Sequence, residues 1–320
     1  MGAIEEVRLV VRVARMYYEW DTKQAAIAEQ LGLSQSTVSR LLRQAKSDGI
    51  VRISVNVPQG VHTELEEQLV RRYRLRDAIV VDCSGESDER FITRQLGGAA
   101  AYYLESAQRA NEVIGISSWS ATLLALVDAM HSAPRKSGLR VVQILGGVGS
   151  PSAEVHASRL TSRMADLLGG EAVYLPAPGI VGSVAAREVI MSDHFVRRAL
   201  DLFDDVTTAL VGIGAIEPSR LLADSGNSFS LSELEELRSR GAVGDVLLRF
   251  FDSHGAPVDS PLNERVISMR LDQLGKVDRS IGVAGGKRKY PAILGAVRGR
   301  WVNVLVTDHV SARRLLAEGN

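Results

Sequence analysis

The chain has 320 residues, with 38 Lys plus Arg balanced by 38 Asp plus Glu. That length is too great for one small domain and suits two or three. Zero net charge excludes any argument from global charge to a nucleic-acid or membrane partner, and the single cysteine, Cys83, excludes an internal disulfide or a cysteine-rich zinc site.

The opening segment carries charges throughout and lacks the unbroken apolar core of a signal peptide. Glu6 stands where a myristoylation signal wants Ser or Thr. No run of about 18 apolar residues is present to span a membrane. A reducing, cytoplasmic setting is expected.

Residues 4–18 read as a helix whose apolar positions are Ile4, Val7, Val11, Ala14 and Tyr18. Thr22 is a plausible N-cap for a second helix, "KQAAIAEQL". Ala28 is small enough to let another helix approach. Gly32 supplies a sharp turn, and Ser34 caps a third helix. At about 100° per residue, Val38, Leu41, Leu42 and Ala45 share one face of that helix. Ser36, Arg40, Arg43 and Ser47 face the other way, Ser39 and Gln44 lie on the flank, and Gln35, Ser36 and Thr37 occupy the first turn.

A recognition helix needs this division: an apolar side to dock on a supporting helix, and a polar side to enter the major groove of DNA. Between Ser34 and Arg52 the cations Arg40, Arg43, Lys46 and Arg52 face one anion, Asp48, which suits several phosphate contacts. "GIVRISV", Gly49 to Val55, alternates as a strand and could form a wing. The bland alternative is a surface helix in a bundle. The turn glycine, Ala28, the cap, the local charge and the position in the chain agree on DNA binding. Gln35, Ser36, Thr37, Ser39, Arg40 and Arg43 are its candidate residues.

"NVPQG", Asn56 to Gly60, marks a boundary, so domains over 1–57 and 58–320 are expected. "HTELEEQLVRRYRL" follows as an amphipathic helix, read as a linker, a dimer contact or the first helix of the next domain. Apolar strands then alternate with helices: strands at 78–82, 112–116, 139–145, 171–175, 206–213, 245–251, 278–283 and 301–306, helices at 89–107, 120–131, 154–168, 193–203, 230–240, 286–298 and 308–317. Short continuous strands such as "VNVLV" suit burial on both faces and hence a mainly parallel sheet in an α/β domain.

In such sheets ligands bind beyond the carboxyl ends of the strands. "EVIGISSWSATLLALVDAM" gathers Ser117, Ser118, Ser120 and Thr122 where a strand gives way to a helix, which suits an anion such as phosphate. Plain capping would need one hydroxyl. Gly146 and Gly147 follow the next strand, and would let backbone approach a ligand or merely turn the chain. Ser152 and Glu217 hold the third-glycine positions of "GGVGSPS" and "GIGAIE", so neither is a dinucleotide fingerprint, and no Walker motif occurs.

Asp245 follows a glycine and could accept hydrogen bonds from sugar hydroxyls. Asp252 reads as a turn residue before Gly255. Lys287 opens a helix after Gly285 and Gly286, where a cation opposes the helix dipole unless an anion pairs with it. Glu154 and His156 are weaker candidates. The His and acidic residues show no metal-ligand spacing, and neither metal nor cofactor is expected.

Taken together and in this order, "KQAAIAEQLGLSQSTVSRLLRQAKSDGIVRISV", "IGISSWSATL", "ILGGVGSPSAE", "LPAPGIV", "GAVGDVLLRFFD" and "GVAGGKRKYPAILGAVRGRWVNVLVTD" resemble the SorC family of bacterial sugar-binding transcriptional regulators, also described as DeoR-like. The resemblance covers nearly the full length. It implies a helix-turn-helix followed by a Rossmann-like effector domain of the sugar-phosphate isomerase and deaminase type. It also implies phosphorylated sugars or polyols as effectors, and assembly as dimers or tetramers. Carried over by position, Ser117 to Thr122 would hold phosphate, and Asp245 and Lys287 would contact the sugar. Many members read Gly-x-Ser-Trp-Gly-x-Thr, whereas this chain has an extra residue and no glycine after Trp119. The resemblance therefore does not single out one hydroxyl. A regulator rather than an enzyme is expected. The rival readings are a sugar-phosphate isomerase or aldolase fused to a DNA-binding domain, and an oligomerisation protein whose helix-turn-helix binds protein.

Overall fold

The computed structural model describes residues 3–51, 60–84, 88–107, 109, 111–132 and 138–318. The chain divides into two compact units, Met1–Pro58 and Gln59–Asn320.

The first unit holds three helices, α1 (Ala3–Tyr18), α2 (Gln24–Leu31) and α3 (Gln35–Ser47). Their core is Val10, Val13, Ala14, Met16, Ile27, Ala28, Val38, Leu41, Leu42 and Ala45. The apolar face of α3 is the one its spacing predicts. That of α1 is not: Val7 and Tyr18 are exposed, and Val10, Val13 and Met16 are buried in their place. Apolar residues occur on both sides of this helix, so periodicity alone does not fix which side packs. Lys23, not Thr22, occupies the N-cap of α2 and makes no side-chain cap. Gly32 ends α2 in the left-handed region at φ 63°, which lets its N–H bond back to Ala28 and Glu29 carbonyls. Ser34 Oγ accepts from the Thr37 N–H at 3.2 Å and so starts α3. Of the expected wing strand, residues 49–51 form turn and bend, and residues 52–55 lie outside the described residues.

The second unit is a three-layer α/β structure. Its strands are β1 (Asp77–Val81), β2 (Val113–Ile116), β3 (Arg140–Gln143), β4 (Glu171–Val173), β5 (Thr208–Ala215), β6 (Ala242–Val246), β7 (Arg249–Asp252), β8 (Arg279–Val283) and β9 (Val304–Asp308). Its longer helices are α4 (Thr63–Tyr73), α5 (Glu89–Ser106), α6 (Ala121–Ala129) and α7 (Pro151–Leu168). Then come α8 (Val184–Ser192), α9 (His194–Leu200), α10 (Arg220–Asp224), α11 (Leu231–Ser239), α12 (Leu271–Leu274), α13 (Tyr290–Arg298) and α14 (His309–Ala317).

The sheet runs β1-β9-β8-β5-β2-β3-β4, with parallel pairing throughout that path. Side chains alternate between its faces, as the strand period of two requires. Ile114, Leu210, Ile281, Val304 and Val306 pack with α5, α6 and α7. Val113, Ala209, Val211 and Leu305 join the opposite core with residues of α4, α11, α13 and α14. Strands β2, β8 and β9 are buried along their whole length, whereas edge strand β1 alternates. Near the amino ends of β2, β5 and β8, Arg279 pairs with Glu112, and Thr208 Oγ1 bonds both. Both charges are buried.

Residues 245–251 form a hairpin rather than one strand. β6 turns into antiparallel β7 through Leu247 and Leu248, at φ 57° and 61°. Two-residue hairpin loops need positive φ and usually take Asn or Gly there, so nothing in "VLLRFF" signals a turn. Two leucines in the left-handed region cost about 1–2 kcal/mol each. Both are buried, so their hydrophobic burial offsets this.

Candidate functional site

In the first unit, Gln35, Ser36, Arg40 and Arg43 are exposed, and Thr37 and Ser39 are half-buried. Ser34 Oγ lies 2.8 Å from both Ser36 Oγ and Thr37 Oγ1, so the first turn of α3 is held by a hydroxyl cluster. Arg40 and Arg43 make no ion pair among the described residues, which leaves both guanidinium groups available to phosphates or base edges. With Val38, Leu41, Leu42 and Ala45 docked inward, the helix presents one polar, cationic face.

In the second unit a cavity of about 140 Å³ opens beyond the carboxyl ends of β2 and β5. A single water needs about 10–15 Å³ on the same measure, so a small polar ligand fits. The position follows from topology. β2 is followed outward by β3, while β5, its other neighbour, is followed by β8 on the opposite side. The crevice between β2 and β5 is therefore the switch point at which open parallel sheets bind ligands.

Ser117, Ser120 and Thr122 line this cavity. Ser120 caps α6 by accepting from the Leu123 N–H at 3.3 Å. The first N–H groups of α6, at Ala121 and Thr122, have no acceptor within the helix and lie in the cavity wall. Ser118 lies elsewhere: its hydroxyl is buried and donates to the Leu145 carbonyl at 2.6 Å. Gly146 and Gly147 are also outside the lining. They are small because of protein neighbours. A β-carbon on Gly146 would sit 2.3 Å from the Pro178 carbonyl oxygen, and one on Gly147 2.2 Å from Gln143 Nε2. The Gly146 carbonyl accepts from Trp119 Nε1 at 2.9 Å, which anchors the serine loop.

Asp245 reaches the cavity from β6. It pairs with Gly214 of β5 across the antiparallel ladder. A β-carbon on Gly214 would lie 2.1 Å from Asp245 Oδ1, so the carboxylate rests against bare backbone. Its Oδ2 accepts from the Leu248 N–H at 2.9 Å. The leucine turn thus supplies one backbone donor and points the side chain inward. Burial pushes its pKa up to about 6, against the opposing pull of the Leu248 N–H and the Lys289 charge. Gly212 likewise makes room for Ser120, whose Oγ would lie 2.7 Å from a β-carbon there.

The cavity lysine is Lys289. Lys287 is exposed and outside the lining, because Lys287–Lys289 forms a single 3-10 turn before α13 rather than the start of the helix. One turn at three residues per turn carries the chain round so that Arg288 and Lys289 face the cavity. Burial, then the adjacent Arg288, lowers the Lys289 pKa, and Asp245 partly restores it. Arg288 is held by Glu89 and by the Glu217 carbonyl, each at 3.3 Å. Glu89, Thr93, Gly212, Gly214 and Glu217 also line the site. The side chains of Glu154 and His156 lie outside the described residues. Asp252 is the turn residue its sequence suggests, since its Oδ1 accepts from the His254 and Ala256 N–H groups at 2.9 Å. No helix among the described residues is long and apolar enough to cross a membrane.

Comparison with known proteins places both units. Residues 21–52 match the "Winged helix-turn-helix DNA-binding" family, and residues 58–317 match "Putative sugar-binding domain". The sorbitol operon regulator of Klebsiella pneumoniae is 32% identical over 98% of both chains. The deoxyribonucleoside regulator of Bacillus subtilis is 33% identical over 98% of both. The crystal structure of the full-length Klebsiella regulator SorC superposes with a TM-score of 0.73 at 31% identity, covering 98% of this chain and 99% of that one. A helix-turn-helix unit, a doubly wound sheet with a polar crevice at its switch point, and this likeness along the whole length have one reading: the chain is a member of the SorC family of sugar-binding transcriptional regulators.

Proposed function

We propose that the second unit binds a phosphorylated sugar or polyol in the crevice between β2 and β5, and that its occupancy controls the affinity of α3 for operator DNA. The observation that carries this reading is the pairing of donors in one small cavity. The amino end of α6 with Ser117, Ser120 and Thr122 stands on one side, and the Lys289 ammonium on the other. Lys289 makes no side-chain hydrogen bond among the described residues, so a half-buried cation is left for an anionic ligand. Asp245 supplies an acceptor for sugar hydroxyls between them. Gln35, Ser36, Thr37, Ser39, Arg40 and Arg43 read bases and phosphates. A ligand that binds one arrangement of the protein better than another shifts their populations, and DNA affinity follows. Dimers or tetramers would present paired recognition helices to half-sites a whole number of helical turns apart.

Asp245, with its pKa near 6, beside an amine of lowered pKa is also a pair able to exchange protons with a bound sugar phosphate. The enzyme reading therefore has its own test, turnover of a panel of sugar phosphates by the full chain. Binding is tested by a thermal-shift screen with phosphorylated sugars and polyols on wild type, Lys289→Ala and Lys287→Ala. Stabilisation that Lys289→Ala abolishes and Lys287→Ala keeps is the expected result. Stabilisation unaffected by Lys289→Ala overturns the assignment.

A further inference from the structure

Outside this cavity, the fold brings together three metal-ligating side chains from distant parts of the chain. Val81 of β1 pairs with Asp308 of β9. The residues that follow, Asp82 and His309, therefore leave the sheet side by side at its carboxyl edge. His62, the N-cap of α4, completes the group. Its ring stacks on that of His309 with centroids 5.5 Å apart.

His62 Nε2 lies 3.8 Å from Asp82 Oδ2, and His309 Nδ1 lies 3.7 Å from Asp82 Oδ1. One donor atom from each of the three falls within 4.8 Å of the others. These separations are too long for hydrogen bonds. They are close to the edges of a zinc tetrahedron, about 3.3–3.4 Å for bonds of about 2.0–2.1 Å. Among the described residues His62 Nε2 is buried with no hydrogen-bond partner, a state that costs about 1–3 kcal/mol. Among the described residues the competing contacts come from Ser84, by backbone and side chain, and from Cys83. Asp82 Oδ1 accepts from the Ser84 N–H at 2.8 Å, and His309 Nδ1 accepts from the Cys83 N–H at 3.2 Å, a long bond that a metal would replace.

We infer that His62, Asp82 and His309 form a binding site for a borderline divalent transition ion, zinc above all. Two imidazoles and one carboxylate are the donor set of three-ligand zinc sites, and magnesium and calcium, which want oxygen, are excluded by it. Asp82 keeps a third of its side-chain surface exposed, at 32%, so the fourth position opens to water or to a further ligand. The bound ion clamps the first turn of α4 to the carboxyl ends of β1 and β9.

The test uses the full chain without a histidine tag, stripped of metal, and titrated with zinc in competition with a chelating dye. The expected result is saturable one-to-one binding that Asp82→Asn and His62→Gln each weaken by at least the roughly 10- to 100-fold that loss of an outer-shell partner costs. Exposed His131 is the control, and His131→Gln keeps wild-type affinity. His309 is buried and its variant is not used; the cobalt-substituted wild type gives the second readout. Visible bands of a four-coordinate site without thiolate charge transfer support the assignment. A thiolate band would place the ion on Cys83 and overturn it. So would absence of one-to-one zinc binding, or binding unchanged in both ligand variants.

Discussion

Replacing Asp245 by Asn isolates the cost of holding a carboxylate in the cavity wall. Its pKa rises from 3.8 to about 6 on folding because burial penalises the charged form. At 1.36 kcal/mol per pKa unit, the ionised folded state is disfavoured by about 3 kcal/mol. The sign follows from proton counting. Between about pH 4 and pH 6 the folded chain holds a proton that the unfolded chain has lost, so stability falls as pH rises through this window. Below it the group contributes no penalty, and above it the whole penalty applies. Asn keeps an oxygen for the Leu248 N–H and removes the titration. Urea unfolding of the full-length wild type and Asp245→Asn at a series of pH values gives the difference directly, and contributions from the first unit cancel. The variant should gain about 3 kcal/mol on wild type between pH 4 and pH 7. Parallel curves, with a difference constant across that range, would refute the buried, proton-holding Asp245 described above.

Gly214→Ala places a β-carbon 2.1 Å from Asp245 Oδ1 and must displace the carboxylate. Isothermal titration with a stabilising sugar phosphate should show affinity reduced by about tenfold or more, the equivalent of losing one hydrogen bond to a charged group. Arg40→Ala should cost about 1–3 kcal/mol of operator binding and relax selectivity at one base pair if the guanidinium reads a base edge. Gel shifts in which it binds as tightly and selectively as wild type would show that α3 is not the reading helix.

Much of the molecule is legible in its sequence, for reasons that also explain the failures. Strands buried on both faces read as apolar runs, as Val304–Val306 does in β9, and the cap and turn of Ser34 and Gly32 are local chemistry. The hairpin at Leu247 and Leu248 is not local. Its left-handed turn is held by tertiary burial, which no turn residue announces. The serine loop is recognisable as a group, but which hydroxyl is free depends on the Leu145 carbonyl, a partner just beyond the end of β3 that takes Ser118. Lys287 and Lys289 are alike in sequence. A single 3-10 turn decides which of them enters the cavity. His62, Asp82 and His309 lie too far apart along the chain to show ligand spacing. The β1–β9 register brings Asp82 beside His309, and the packing of α4 on β1 adds His62.

The most direct measurement is retention of a promoter fragment by the full chain, with and without the phosphorylated sugar or polyol that most raises its melting temperature. The ligand should change DNA affinity in wild type and leave it unchanged in Lys289→Ala, while both proteins bind DNA equally without ligand. An equal ligand effect in both, or a ligand that stabilises the chain without altering its hold on DNA, would contradict it.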